Sequence, residues 1–284
     1  MKNRLSRWTF SILISSAFLV AAGALSLCIG SAGIPITKII SILLDGRGTS
    51  EYSILVDIRL PRIILGFAIG GALSLAGVIL QGMFRNPLVE PYTLGISGGA
   101  ALGTSICIIL KLNRLIPDIA MPLSGFIGAL LVILLVYFIN TRRGIFMIQG
   151  LLLTGVMISF ISSSLVILIL AISRTEDLHG IIFWIMGSLE EPNWVLIWVA
   201  TTASLACLAF SYLFCLDMNA LSLGEEEAIH LGVDVEKKKK LLFLIASILT
   251  GISVSVTGLI GFVGLIVPHF MLSLIHISEP TRPY

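Results

Sequence analysis

Charged side chains are scarce in this sequence. Only 12% of its 284 residues are charged, whereas a soluble domain carries about 25%. The mean hydropathy is +1.05, and 57% of the residues are hydrophobic. So little polar surface cannot cover a water-exposed globule, which excludes a soluble protein. The sequence also shows no basic face, which argues against a nucleic-acid partner.

Cysteine is scarce as well, and the spacings that bind metals or ATP are missing. The four cysteines lie in or beside apolar runs without a Cys-x-x-Cys spacing, so we expect neither disulfides nor a metal site. No Gly-x-x-x-x-Gly-Lys-[Ser/Thr] motif is present, so the chain does not bind ATP in the P-loop manner. We therefore expect no cofactor, no catalytic residues and an energy source on another polypeptide.

Long apolar runs are abundant. They cover residues 9–30, 63–83, 95–110, 117–140, 145–172, 194–215 and 241–271. As a helix, the run 63–83 is about 31 Å long and matches the hydrocarbon core of a bilayer. The last run would reach about 47 Å, so we expect a break near Gly258, Gly261 or Gly264 and a partial further span. The runs predict an all-α, polytopic transmembrane helix bundle with about eight spans.

The N-terminal run and the basic residues suggest how the chain lies in the membrane. Ala22-Gly23-Ala24 resembles a signal-peptidase site, but the run is longer than a signal core, so we expect an uncleaved span and keep a cleaved signal as the alternative. The distribution of basic residues favours a cytoplasmic N-terminus. In that orientation the lysines at 237–240 mark a cytoplasmic boundary, where contact with lipid phosphates is the expected role.

Polar segments connect the runs. Residues 31–62 are expected to form a long polar loop, 141–144 a tight basic turn, and 174–192 an amphipathic connection. The longest polar segment between the later runs covers residues 217–240. Within the run 63–83, Gly66 and Gly70 have the small-xxx-small spacing of closely packed membrane helices.

One stretch carries a specific family pattern. It comprises Arg59-Leu60-Pro61-Arg62, the glycine-rich run from Gly71 to Gly77, Gln81-Gly82, Arg85-Asn86-Pro87-Leu88, Pro91, Leu94-Gly95 and Ser97-Gly98-Gly99-Ala100. With so many matches in the same order, this stretch resembles the FecCD-type permeases, the membrane subunits of ABC importers. Later segments up to about residue 271 are similar as well.

The resemblance implies a function and a set of partners. Family members carry iron-siderophores, haem or cobalamin across the inner membrane, and the motifs do not distinguish among these cargoes. The implied partners are ABC ATPase subunits, a periplasmic or lipid-anchored substrate-binding protein, a second permease subunit in a homodimer or heterodimer, and membrane lipid.

The resemblance also implies roles for the arginine pair at 59 and 62 and for the polar segment at 223–234. It implies that Arg59 and Arg62 dock the binding protein, although interfacial anchoring is the plainer alternative. The segment from Leu223 to Asp234 resembles the family's coupling helix, which inserts into the ATPase. The residues that carry this match are Gly224, Glu225, Ala228, Leu231 and Gly232. A solvated helix on the membrane surface is the alternative.

Three further residues are candidates for the translocation path. Ser97 is a polar residue in an apolar run, and such residues usually face the bundle interior or a cavity. The resemblance places Ile148 and Gln149 at the cytoplasmic gate, where only half of the family's polar pair is kept. Hydrogen bonding between helices is an equally good explanation of Ser97.

Two other functions compete with this interpretation. Gly95-Ile96-Ser97-Gly98-Gly99 matches the Gly-x-Ser-x-Gly nucleophile pattern, so a rhomboid-like intramembrane protease with His269 as partner is the alternative from the enzyme class. An ion-coupled secondary transporter would need intramembrane carboxylates, and no acidic residue lies in the middle of a run.

The C-terminal segment departs from the family pattern. Gly261 to His269 match it, but Leu272 stands where an arginine is expected. We therefore expect residues 1–271 to form the permease domain and residues 272–284 to be a non-native tail on a truncated chain. The resemblance implies two further spans.

Overall fold

A computed structural model describes residues 2–142 and 145–276, and helices dominate it. Two strands of two residues, β1 (Thr141–Arg142) and β2 (Ile145–Phe146), form an antiparallel pair. Short 3-10 turns cover Pro91–Leu94 and Leu112–Arg114, and a π-helical turn covers Ile54–Arg59. The α-helices are α1 (Lys2–Cys28), α2 (Ile36–Asp45), α3 (Ser50–Ser53), α4 (Leu60–Phe84), α5 (Ile96–Ile109), α6 (Ala120–Asn140), α7 (Ile148–Ile172), α8 (Thr175–Met186), α9 (Trp194–Tyr212), α10 (Cys215–Leu223), α11 (Glu225–His230), α12 (Val235–Thr257) and α13 (Val263–His276).

The predicted membrane-spanning bundle is confirmed. Among the described residues, 6 helical stretches are long and apolar enough to cross a bilayer. They lie at Thr9–Cys28, Ser50–Phe84, Ala120–Asn140, Ile148–Ile172, Trp194–Tyr212 and Val235–Thr257. Helices α5 and α13 are shorter, with 14 residues each. The last apolar run is interrupted as predicted, because α12 ends at Thr257 and α13 begins at Val263.

Helix α4 lies at the centre of the bundle, against α9, α12 and α13. Leu65, Ala76, Ile79 and Leu80 are completely buried along it. Burial on so many sides explains why this helix is apolar all round, with no polar stripe for water.

The closest helix packing lies elsewhere than the sequence predicted. A Cβ at Gly70 would meet nothing within 4 Å, and one at Gly66 would only touch the Leu189 side chain at 3.5 Å. At Gly77, by contrast, a Cβ would lie 1.9 Å from the carbonyl oxygen of Gly264. The prediction of a Gly66-xxx-Gly70 seam is therefore wrong. On α4, the glycine that allows a close backbone contact is Gly77, which lies against the first turn of α13.

A small-xxx-small seam does join α5 and α6. A Cβ at Gly99 would lie 2.6 Å from the oxygen of Gly128, and a Cβ at Gly103 would lie 2.3 Å from the oxygen of Ser124. Both helices therefore carry small residues four apart, which allows their backbones to touch.

The turn before α5 and the beginning of α13 both lie beside the middle of α4. A Cβ at Gly264 would lie 2.6 Å from Cδ of Pro91 and 2.8 Å from the oxygen of Leu73. Nearby, the hydroxyl of Tyr92 accepts a hydrogen bond of 3.2 Å from the backbone N–H of Ile260. The chain before each short helix thus turns back into the bundle. Irregular backbone at such depth is tolerated where protein covers it.

Two polar segments are more ordered than the sequence indicated. The expected loop at 31–62 is mostly helical, because Ile39 and Ile42 of α2 pack against Leu55 in a small apolar cluster. The segment 217–240 likewise contains α11 and most of α10. Residues 143–144 of the expected basic turn and 277–284 of the expected tail lie outside the described residues.

Candidate functional site

Arg59 closes the end of α1. It is only 8% exposed, and its guanidinium donates hydrogen bonds to the carbonyl oxygens of Leu27 and Ala32. The last carbonyls of a helix have no partner within the helix, and a cation is favourable at that end. Arg59 therefore supplies donors where α1 lacks them, and its side chain is turned away from the surface.

Arg62, one helical turn further on, remains accessible. Its side chain is 46% exposed and forms an ion pair with Glu190, which is 70% exposed. Glu190 belongs to the connection between α8 and α9, so the pair joins this connection to the beginning of α4. The two arginines of the motif are thus separated into a buried residue and a surface residue.

The neighbouring carboxylate of Glu191 is partly withdrawn from water. Burial raises the pKa of Glu191, the negative charge of Asp118 adds to the increase, and a hydrogen bond from the backbone N–H of Asn193 opposes it. Arg62 is therefore an accessible cation at a surface that also carries Glu190 and the partly buried Glu191.

At the opposite end of α4, the predicted coupling segment folds as a short helix between two glycines. Helix α11 (Glu225–His230) lies between Gly224, with a φ of 142°, and Gly232, with a φ of 82°. L side chains rarely adopt such φ angles, so glycine is required at both positions. Glu225, Glu226 and Glu227 occupy the first turn, where negative charge is favourable.

This helix has one buried anchor and an exposed apolar edge. Ala228 is completely buried in the main core cluster. Large side chains next to it are exposed: Leu223 by 65%, Ile229 by 60% and Leu231 by 65%. An exposed apolar patch surrounded by acidic residues is typical of a protein interface.

The candidate path residues lie in two places. At Gly98, next to Ser97, a Cβ would lie 3.0 Å from Cβ of Ser162 on α7. Ser97 is half-buried at the beginning of α5, beside these polar residues of α7. Ile148 packs on the main core cluster, whereas Gln149 is exposed at the beginning of α7. The structure therefore does not bring Ser97 together with the other two.

The geometry gives no support to the protease alternative. Ser97 starts α5, whereas His269 lies on α13 with an exposed side chain. No hydrogen bond is described between the two in residues 2–142 and 145–276. A nucleophile and its base need to approach to hydrogen-bond distance.

Comparison with known proteins decides the family. Residues 18–282 match the model of the FecCD transport family. The chain belongs to the FecCD transport family. This match covers most of the sequence, including Arg59, Arg62 and the coupling segment, and it confirms the predicted resemblance.

Individual FecCD relatives carry different cargoes. The hemin transport system permease protein HmuU of Yersinia pestis is 36% identical over 86% of this chain and 74% of its own length. The cobalamin import system permease protein BtuC of Halobacterium salinarum is 39% identical over 75% of this chain and 56% of its own length.

A solved structure of a similar protein supports the fold. It is described as an inward-facing conformation of a metal-chelate type ABC transporter, with a TM-score of 0.81 and 31% sequence identity. The match covers 95% of this chain and 82% of the other.

Some features of this FecCD chain were not accessible from the sequence. Glu190 is 128 positions from Arg62, so only the folded chain shows that they pair. The same holds for Lys238 and Lys239, whose partners Asp217 and Glu225 lie on α10 and α11. The sequence shows only that these charged residues lie next to apolar runs, and this does not identify the carboxylates with which they pair.

Proposed function

We propose that the chain is the permease subunit of an ABC importer that carries a metal chelate across the bacterial inner membrane. Iron-siderophores, haem and cobalamin are the cargo classes. Membership of the FecCD family and the names of the hemin and cobalamin relatives support this proposal. The chain forms no covalent bond with its cargo, and ATP is hydrolysed by separate ATPase subunits.

The exposed edge of α11 carries the proposal. It offers Ile229 and Leu231 to a groove on the ATPase, while Ala228 fixes the helix to the core. Gly224 and Gly232 set the path of the chain into and out of the helix. An edge of this kind is costly to leave in water, so an obligate partner explains it better than a solvated loop does.

Docking of the substrate-binding protein is proposed at the opposite end, at Arg62. Its exposed ion pair with Glu190 has low cost to break, on the order of 0–1 kcal/mol. A carboxylate of the binding protein can therefore replace Glu190. Arg59 contributes by fixing the end of α1 beside this surface, because its own guanidinium is engaged with Leu27 and Ala32.

The proposed path runs along α5 and α7 and is completed by a second permease subunit in a homodimer or heterodimer. Large apolar side chains on α7 are exposed, including Leu153, Phe160 and Ile167. They face either that subunit or membrane lipid. Ser97 is proposed to line the path, and Ile148 and Gln149 to narrow its cytoplasmic mouth.

Association with the ATPase tests this function. We expect the purified permease to retain its genomically neighbouring ATPase in a pull-down, and the variant Leu231→Asp to lose it. Leu115→Asp is a matched control, because Leu115 is 77% exposed on a connection distant from α11. Equal retention by wild type and Leu231→Asp would contradict the coupling role.

A further inference from the structure

The lysine run at the start of α12 is engaged within the protein. Lys237 pairs with Asp234 at 2.7 Å, Lys238 with Asp217 at 2.6 Å, and Lys239 with Glu225 at 2.6 Å. The sequence alone indicated contact with lipid phosphates. Three consecutive amino groups instead reach carboxylates on three different parts of the segment 217–240.

We propose that Lys238 and Lys239 form a clamp that fixes α10 and α11 to α12, so that a displacement of the coupling segment moves α12. This inference rests on the proposed function, since it assumes that α11 receives the ATPase. The two lysines are positioning residues and touch neither cargo nor nucleotide.

The pair between Lys239 and Glu225 is the stronger half of the clamp. The Lys239 side chain is only 3% exposed, and Glu236 lies 3.6 Å from its amino group as a second carboxylate. A buried ammonium group is strongly destabilised when its carboxylate partner is removed. Glu225 on α11 is therefore held close to α12.

Lys238 holds the other helix. Its amino group pairs with Asp217 on α10 and lies 4.4 Å from the centre of the Phe214 ring. Successive residues of a helix point about 100° apart, which allows Lys238 and Lys239 to reach α10 and α11 separately. The segment is thus attached to α12 at two points.

Helix α12 is suited to pass on a movement. Leu242, Phe243, Ala246 and Leu249 are buried along it, and it lies against α4, α6 and α9. Its far end leads at Gly258 into the break before α13. A push on α11 would therefore reach the point where α13 packs on Gly77.

The carboxylate and the lysine of the strong pair can be changed separately in a test. The reconstituted complex of permease, ATPase and binding protein in proteoliposomes is assayed for cargo transported per ATP hydrolysed. We expect Lys239→Met and Glu225→Gln to lower this ratio at least about fivefold, the low end of coupling between distant sites. The ATPase should remain bound to the Lys239→Met variant in a pull-down, because Lys239 is buried away from the exposed edge of α11. Lys239→Arg should restore most of the ratio.

Lys237→Met is the matched control. It removes the neighbouring pair with Asp234, in which the lysine side chain is 84% exposed, and should leave the ratio unchanged. If Lys239→Met does not fold, the clamp is tested by the transport ratio of Glu225→Gln and of the double variant in which Lys239→Glu is combined with Glu225→Lys. An unchanged ratio in folded Glu225→Gln would overturn the clamp. Failure of the wild type to bind the ATPase or to transport would instead contradict the proposed function.

Discussion

The side-chain amide of Gln81 lies 3.4 Å from the carbonyl oxygen of Gly264. Pro268 stands inside α13 and has no N–H with which to satisfy that carbonyl, four residues earlier. The same amide nitrogen lies 3.3 Å from the oxygen of Val89. Gln81 thus connects α4 both to the chain that precedes α5 and to the first turn of α13.

Removing this amide should destabilise the bundle. Gln81→Leu leaves buried carbonyls without a donor, which costs about 1–3 kcal/mol. We expect a lower melting temperature of the purified permease in detergent. Pro268→Ala supplies a backbone donor for Gly264, so the loss caused by Gln81→Leu should be smaller in the Pro268→Ala background. Strictly additive effects of the two substitutions would contradict the assigned hydrogen bond.

The close contact at Gly77 predicts that an alanine substitution lowers the melting temperature there but not at Gly70 on the same helix. Gly77→Ala places a methyl group 1.9 Å from the carbonyl oxygen of Gly264, and a backbone atom cannot simply move aside. The expected cost is about 1–3 kcal/mol or more, seen as a lower melting temperature.

Gly70→Ala is the matched control on the same helix, because its added methyl group meets nothing within 4 Å. It should be neutral or slightly stabilising, since alanine is the better helix former. Similar melting temperatures for the two variants would show that α13 does not lie against Gly77.

If Arg62 docks the binding protein as proposed, Arg62→Glu should slow association of the cognate binding protein on the order of tenfold, because opposite charge steers encounter. The melting temperature should change little, since the pair with Glu190 is exposed. Association measured by surface plasmon resonance at low salt checks this. Glu190→Gln, which releases Arg62, should bind at least as fast as the wild type; a slower rate would contradict the role of Arg62.

Substitution of Arg59 is expected to lower the melting temperature, in contrast to substitution of Arg62. Arg59→Gln leaves the carbonyls of Leu27 and Ala32 without their donors, so the melting temperature should fall. A stable Arg59→Gln variant that fails to bind the docking partner would instead assign docking to Arg59 itself.

Glu191 gives a pH-dependent prediction. Burial raises its pKa in the folded protein, so the folded state retains the proton to higher pH than the unfolded state. Stability is lost as the pH rises from the unfolded value of about 4.5 through the higher folded value. Glu191→Gln should therefore raise the melting temperature at pH 7 and have little effect at pH 4. A gain at pH 4 as large as that at pH 7 would contradict this assignment.

The sequence was sufficient to predict the long spans and the short helix α11. Runs as long as residues 63–83 leave few alternatives to a membrane helix, and the glycines at 224 and 232 delimit α11 by their backbone geometry. The break before α13 followed from the length of the run together with its glycines.

The sequence could not identify contacts between distant segments. The spacing of Gly66 and Gly70 is the same as that of other small-residue pairs, and only the packed bundle shows that Gly77 is the close contact. Helix α2 was missed because Lys38 and Asp45 make its segment read as polar. Arg59 and Arg62 looked equivalent in the motif until α1 buried the first of them.

ATP-driven uptake tests the central claim most directly, namely that α11 receives force from a separate ATPase. Proteoliposomes containing the permease, its ATPase and its binding protein are assayed with a radiolabelled ferric siderophore, haem or cobalamin. We predict vanadate-sensitive uptake of one of these that requires internal ATP and is abolished by Leu231→Asp but retained by Leu115→Asp. Uptake that proceeds without the ATPase, or that is unaffected by Leu231→Asp, would contradict the account.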